Sequence, residues 1–443
     1  MRREGLFSFG STHAEKSASF WLFLIGLGSV TQINVGGYTS ISELFMVLLL
    51  PFSLAKNYRL FAKDHCKTIV NLLLLWMAGV CLTDYVRGNY FAFFIRGFIA
   101  PLGTLAALVA IYPLLRRNPD VLKWFLLGVA ISGVVSIFIF QPGTTLGSVG
   151  VQTGEISASE ARIGYKLFWV GQLNTWLGLP IEGWYMAFPT MAAVVIGLFL
   201  SVFALVTGGR SAFMVLFFTV VLVAICGHSQ KRMQGMKRNA LLVIVGLALM
   251  APIVKGIYKV SATRGWMGAK ELDKYEKQAK GASLLEMLMR GRGEFFISLL
   301  AALDKPFLGH GSHARDTKGY VMDYLVKYGA DYETIKRVEE REKLYGVRTI
   351  PAHSHITCYW LWAGIPGLLP WIYILYLFYV TLIKRSYVYP SYFGYFAFMI
   401  PNELWAIFFS PYGGRVNMGF LIAACLVVQT MQRERERLGM IRI

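Results

Sequence analysis

Apolar runs recur along almost the whole chain. Their length, roughly 17 to 23 residues, is what a helix needs to cross the hydrocarbon layer of a bilayer. The clear runs lie near 19–35, 40–55, 68–86, 90–112, 121–140, 184–206, 211–226, 239–256, 356–383, 391–410 and 415–430. A soluble domain carries about 25% charged residues, whereas this chain has 16% charged and 56% hydrophobic residues. That much apolar surface has no single water-soluble core to hide in. The pattern predicts an all-α polytopic membrane protein.

The formal net charge of +19 would suit a nucleic-acid partner if the cations were clustered on a soluble face. They sit instead in short connections between apolar runs, as the positive-inside rule requires, so no nucleic acid is expected. Lys56, Arg59, Lys63 and Lys67 mark one cytoplasmic turn, and Arg116, Arg117 and Lys123 the next. Lys231, Arg232, Lys237 and Arg238 mark a third, Lys384 and Arg385 a fourth, and Arg433, Arg435, Arg437 and Arg442 the tail. These placements agree only if the chain crosses once more between Gln141 and Trp184. The weakly apolar stretch 163–181, with Gln172 and Asn174, is the expected sixth span. Parity therefore predicts about 12 transmembrane helices, both termini cytoplasmic and one large periplasmic loop containing helices.

Three units follow: 1–256, an N-terminal transmembrane bundle of nine spans; 257–352, the periplasmic loop domain; and 353–443, the C-terminal transmembrane helices. The first span is expected to act as an uncleaved signal anchor. The loop carries 17 basic and 13 acidic residues, and a long, nearly balanced loop is not governed by the positive-inside count. Its apolar stripe Leu284, Leu285, Leu288, Phe295, Phe296, Leu299, Leu300, Leu303 predicts a helix on the bilayer surface or capping the bundle. A second, charge-rich helix is expected over 332–345. None of the five cysteines falls inside a long polar loop, so neither a disulfide framework nor a Cys-based metal site is expected.

Four places could carry chemistry. Thr207-Gly208-Gly209-Arg210-Ser211 is a tight turn with Arg210 at a helix start, where an anion is favoured; a hairpin whose Arg reaches for headgroups is the plainer reading. Arg290-Gly291-Arg292-Gly293-Glu294 could present guanidinium forks to phosphate oxygens, or be a basic surface turn. In Pro351-Ala352-His353-Ser354-His355, two of seven histidines stand where the loop re-enters the membrane, and histidine is suited to proton transfer near neutral pH. Arg96, inside the run 90–112, is a functional candidate because an intramembrane charge is costly, with pairing to Asp84 as the structural alternative. No metal site is expected.

With these residues in view, the chain resembles the bacterial O-antigen ligase and polysaccharide polymerase family. The resemblance spans roughly Asn174 to Phe378 and rests on three ordered motifs. The first is Thr207-Gly208-Gly209-Arg210-Ser211-Ala212. The second is Gly291-Arg292, four residues before Phe296, followed by Pro306-Phe307-Leu308-Gly309-His310-Gly311. The third is His353-Ser354, eleven residues before Gly364-Ile365-Pro366-Gly367. The family often has Trp where Phe296 stands, and usually Asn where Ser354 stands. Spacing to Gly364 favours His353 over His355 as the motif histidine.

The resemblance implies a GT-C-like, inverting, metal-independent glycosyltransferase of the bacterial inner membrane, with no cofactor and its site facing the periplasm. The donor would be a glycan on undecaprenyl diphosphate. The acceptor would be lipid A-core, in O-antigen ligation for lipopolysaccharide synthesis, or another lipid-linked glycan if the enzyme is a polymerase. Arg210 and Arg292 would stabilise the leaving diphosphate and His353 would act as base; Arg290, Arg96 and His355 would contact the diphosphate. A twelve-span secondary transporter is the rival from another class. Transporters of that size often have related halves, whereas here a loop of about ninety residues interrupts only the second half.

Overall fold

The computed structural model describes residues 13–30, 32–34, 38–139, 190–206, 210–226, 230–242, 292–327, 348–351, 353–389, 392–410 and 415–437, with isolated positions between 244 and 340. The chain is mostly helical. Four of the described helices are long and apolar enough to cross a membrane: Ile41–Phe61, Asp64–Arg87, Phe91–Arg117 and Ile365–Lys384. In chain order the elements used below are α1 (His13–Val30), a two-stranded antiparallel pair β1 (Gln32–Asn34) and β2 (Tyr38–Ser40), α2 (Ile41–Phe61), α3 (Asp64–Arg87), α4 (Phe91–Arg117) and α5 (Leu122–Ile139). They continue with α6 (Thr190–Val206), α7 (Arg210–Cys226), α8 (Gln230–Gln234), α9 (Gly293–Asp304), α10 (Tyr320–Lys327), α11 (His355–Ala363), α12 (Ile365–Tyr379), α13 (Phe393–Phe409) and α14 (Arg415–Arg437).

Helix α4 is the axis. Its small residues Ala100, Gly103, Thr104, Ala106 and Ala107 are buried, and small residues let helix backbones approach closely where no aqueous hydrophobic force drives them together. Against them lies α14, whose Gly419 has no room for a side chain beside Ala107 and the Leu108 amide. Helix α2 runs alongside α4, with Ser53 Oγ donating to the Val109 carbonyl at 3.0 Å. Its first turn is closed by a capping box: Ser40 Oγ accepts from the Glu43 amide and Glu43 reaches back to the Ser40 amide at 2.9 Å. Helices α3 and α12 meet through Trp76 and Trp371, edge to face at 5.6 Å. Phe125 of α5 stacks on Phe420 of α14 at 3.8 Å, and Thr219 of α7 donates to the Ala397 carbonyl of α13 at 3.0 Å.

The basic connections gather at one end. Arg433 pairs with Asp64 at 2.5 Å and Arg116 with Glu434 at 3.7 Å. Tyr389 bonds Asp120, Tyr392 bonds the Pro119 carbonyl, and Arg435 donates to the Val388 carbonyl. Helix α8 abuts the turn at 386–388. At the opposite end, Thr83 donates to the Leu308 carbonyl and Arg87 to that of Gly309, while Arg415 grips Glu43. The described part of the 257–352 segment is thus bonded directly onto the helix ends.

One expected element differs. The run 356–383 is two helices, broken at Gly364, whose φ of +67° favours glycine. They fold back on one another: His355, at the start of α11, packs on Trp371 of α12 at 5.1 Å, and Tyr359 stacks on the same ring. Only the Ile365–Lys384 stretch is of crossing length, and α11 is a short helix folded back beside it. The weak span 163–181, Leu284 to Leu288, most of 332–345 and Arg290 lie outside the described residues.

Candidate functional site

Two of the three motifs interlock at the end opposite the basic connections. His310 and Gly311 donate their amides to the Leu361 and Trp362 carbonyls, at 2.6 and 3.1 Å, and Ile365 donates to the Phe307 carbonyl at 3.3 Å. Gly309, at φ +69°, lies so close to the Leu361 carbonyl and the Gly364 amide that a side chain would collide with backbone. Gly364 meets the Phe307 carbonyl in the same way. The glycines of both motifs are therefore the two halves of one backbone-to-backbone joint.

This joint sets α9 and α11 side by side and parallel. Glu294 touches His353, Ser298 and Thr357 hydroxyls are bonded at 2.7 Å, and His310 Nε2 donates to the Ala301 carbonyl. The partners advance together along both helices, so both N-termini point the same way. Because His355 reaches Trp371, six residues beyond Ile365, the start of α11 is recessed by roughly 9 Å from the Gly364 turn, at 1.5 Å of rise per residue. Two parallel helix N-termini, with their unsatisfied amides and partial positive charge, favour an anion there.

The side chains at this recess are Arg292, Glu294 and His353. Arg292 is the residue preceding α9. Its guanidinium lies over the rings of Trp405 and Phe409, at 4.9 and 5.5 Å, and donates to the Phe409 carbonyl at 3.3 Å. Cation–π contact and the negative end of α13 hold the charge in place. His353 is half-exposed, with 54% of its side chain accessible, and its Nδ1 is engaged by the Glu294 carboxylate. That hydrogen bond raises its pKa above the usual histidine value, outweighing burial and the nearby Arg292 charge. A carboxylate bonded to Nδ1 fixes that nitrogen as the N–H, leaving Nε2 as the proton acceptor.

Ser354 anchors the arrangement. It is buried, caps α11 by accepting from the Thr357 amide, and donates to the Ile407 carbonyl at 2.9 Å. Gly293 is pressed against the ring of Tyr324, and Phe296 stacks on the same ring. These contacts seat the motif on α10 and α13.

Arg210 begins α7, and only its backbone is described. The C-terminal end of α7 and the N-terminal end of α13 both lie at the basic end, so the two helices run antiparallel. Nine residues separate Arg210 from Thr219, about 13 Å of helix. The same count from Ala397, the partner of Thr219, reaches Ala406. The Arg210 backbone thus lies level with the rings under Arg292.

Two expected members fall elsewhere. His355 is 3% exposed, its ring against Trp371, away from the half-exposed His353–Glu294 pair. Arg96 belongs to another cluster. Its charge acts on His313, which burial, aided by Arg96, holds down to about 4. The His313 ring is set between Phe93 and Trp362 at 5.3 and 4.7 Å. Asp84, the partner anticipated for Arg96, accepts from the Ser312 amide and hydroxyl and from Asn89. No cluster of three His, Cys, Asp or Glu able to hold a metal occurs among the described residues.

Glu294, Trp405 and Phe409 were not anticipated as site residues. Glu294 had a signal, since it lies two positions from Arg292 within Arg290-Gly291-Arg292-Gly293-Glu294. The two aromatics had none within a uniformly apolar run. Neither a family model nor a curated protein matches the chain.

Proposed function

We propose that this protein is an inverting glycosyltransferase that moves a glycan from undecaprenyl diphosphate to an acceptor hydroxyl. Ligation of O-antigen to lipid A-core is the favoured case. The observation that carries the reading is the His353–Glu294 pair set beside Arg292 at the recessed, parallel N-termini of α9 and α11. A base held in one tautomer by a carboxylate, next to an anion-stabilising cation and two helix N-termini, is what transfer from a sugar diphosphate requires.

In the reaction, His353 Nε2 takes the proton of the acceptor hydroxyl as its oxygen attacks the anomeric carbon. The new glycosidic bond forms on one face while the bond from the anomeric carbon to the phosphate oxygen breaks on the other, inverting the configuration. The leaving undecaprenyl diphosphate gains the electron pair, and Arg292, with Arg210 and Arg290 as further cations, stabilises that charge. Glu294 keeps His353 oriented and stabilises the imidazolium that forms, as the third member of a nucleophile–base–carboxylate array does. The diphosphate linkage is already activated, so no other energy source is needed. By the positive-inside rule the basic end faces the cytoplasm, which turns the site toward the periplasm of the inner membrane. A lipid-linked donor would reach it from the side, through the bilayer.

The test is transfer by purified protein given undecaprenyl-diphosphate glycan and lipid A-core, with His353→Ala and Arg292→Ala beside the wild type. Loss of a positioned base costs on the order of 10²- to 10⁴-fold, so glycosylated core is expected from the wild type and at most traces from the variants. Elongated donor without labelled core would identify a polymerase using the same site. Absence of any glycan product with every acceptor would refute the reading and revive the transporter.

A further inference from the structure

At the basic end, α2 and α4 finish beside one another around a cleft of about 620 Å³, and among its lining residues are Lys56, Tyr58, Arg59, Arg116 and Arg117. No carboxylate is among the described lining residues; Glu434, which is not one of them, pairs with Arg116 at 3.7 Å. Cations commonly sit at helix C-termini because they complement the dipole. That accounts for basic residues at each end separately, but not for four of them sharing one concave surface. The backbone shapes the cleft: α2 leaves helical geometry at Asn57 (φ −118°, ψ 17°), and Asn57 bonds back to the Ser53 carbonyl.

The face of α2 leading to this cleft is apolar and uncovered. Leu48 and Phe52 are 72% and 73% exposed, and with Lys56 they follow the four-residue spacing of one helical face, which the kink at Asn57 then leads into the cleft lined by Arg59. Along the helix, that face changes from hydrocarbon to cation in the order in which a phospholipid changes from acyl chain to phosphate. A free phosphate would use the cations and have no need of the stripe.

We propose that this cleft and stripe form a binding site for an anionic phospholipid, with its phosphate among Lys56, Arg59, Arg116 and Arg117 and an acyl chain along Leu48 and Phe52. Basic pockets between transmembrane helices recognise anionic headgroups by this chemistry. The inference stands independently of the glycosyltransferase reading.

The experiment is native mass spectrometry of the full chain in neutral detergent. It is titrated in turn with dioleoyl-phosphatidylglycerol, dioleoyl-phosphatidylcholine and inorganic phosphate. Phosphatidylglycerol is expected to bind at least about tenfold more tightly than phosphatidylcholine, since each cation near an anionic headgroup contributes roughly fivefold. Lys56→Gln/Arg59→Gln/Arg117→Gln should abolish that preference, while Lys231→Gln/Lys237→Gln, at the same end but outside the cleft, should keep it. Leu48→Ala/Phe52→Ala should weaken both lipids and leave their ratio unchanged. Thermal unfolding in lipid-free detergent verifies that each variant is folded. Equal binding of the two lipids, an unchanged preference in the cleft variant, or inorganic phosphate occupying the site as tightly as the lipid would each overturn the proposal.

Discussion

Two charged assemblies sit at the same end of this molecule and use similar residues for opposite purposes. In one, Arg415 of α14 meets Glu43 of α2 through two bonds, 2.7 and 3.0 Å. Both side chains are almost wholly buried, at 10% and 5% exposure, and Glu43 also closes the capping box of its own helix. Both Glu43 carboxylate oxygens are bonded by the Arg415 guanidinium, and one also by the Ser40 amide, the kind of pairing that an ion pair removed from water requires. In the other, Glu294 and His353 meet half in solvent, and Arg292 rests on aromatic faces and a helix-end carbonyl. Those restraints orient the charges without enclosing them, and the Glu294 carboxylate holds the His353 pKa above the usual histidine value. The first assembly joins helices; the second is left half-exposed.

The contrast can be broken or sharpened experimentally. The largest effect is expected from Arg415→Ala, which leaves the Glu43 carboxylate buried without its cation. Removing one partner of a buried pair costs about 3–5 kcal/mol, so the variant should lose folded yield and show a strongly lowered Tm. Arg292→Ala should leave Tm within a few degrees of wild type yet lower transfer by about 10²- to 10³-fold, the scale of losing an electrostatic stabiliser of the leaving group. An unchanged rate would place Arg292 with the structural charges.

Gly364→Ala comes next. It forces a side chain into positive φ and against the Phe307 carbonyl, a strain of about 1–3 kcal/mol. Loosening the joint that sets α9 beside α11 should reduce Tm and activity together. The smallest effect is expected from Glu294→Gln, roughly tenfold in rate, with a diagnostic change in pH dependence. The carboxylate raises the His353 pKa, and a base acts only when neutral, so wild-type activity is lost as pH falls through that raised value. Removing the carboxylate's charge lowers the pKa, and the acidic limb of the pH–rate profile should move to lower pH. A limb that stays in place would dissociate Glu294 from the base.

Sequence and structure agree where the property is one-dimensional. Apolar length and the placement of basic residues mark the helices and the end at which their connections gather, because each run satisfies its own backbone and each cluster of cations avoids the hydrocarbon. The break at Gly364 was partly legible: the run 356–383 exceeds the roughly 20 residues a crossing needs, and it contains Gly364-Ile365-Pro366. The pairing of Glu43 with Arg415 was not, since 372 positions separate them and each stands at the edge of an apolar run like many other charges. Motif order pointed to Arg292 and His353, but not to the reason for the glycines, which is a joint between segments distant in sequence. His353 and His355, two positions apart, look alike in a string, yet have different surroundings because a helix begins between them: His353 is half-exposed and His355 is buried.

The most direct test measures thermal unfolding and glycan transfer on the same preparations of wild type, His353→Ala and His355→Ala. The account predicts that His353→Ala keeps the wild-type Tm and loses transfer, whereas His355→Ala, which empties a site packed on Trp371, lowers Tm and keeps transfer per folded molecule. If His353→Ala transfers glycan at the wild-type rate, the half-exposed pair is not the reaction centre and the account is wrong.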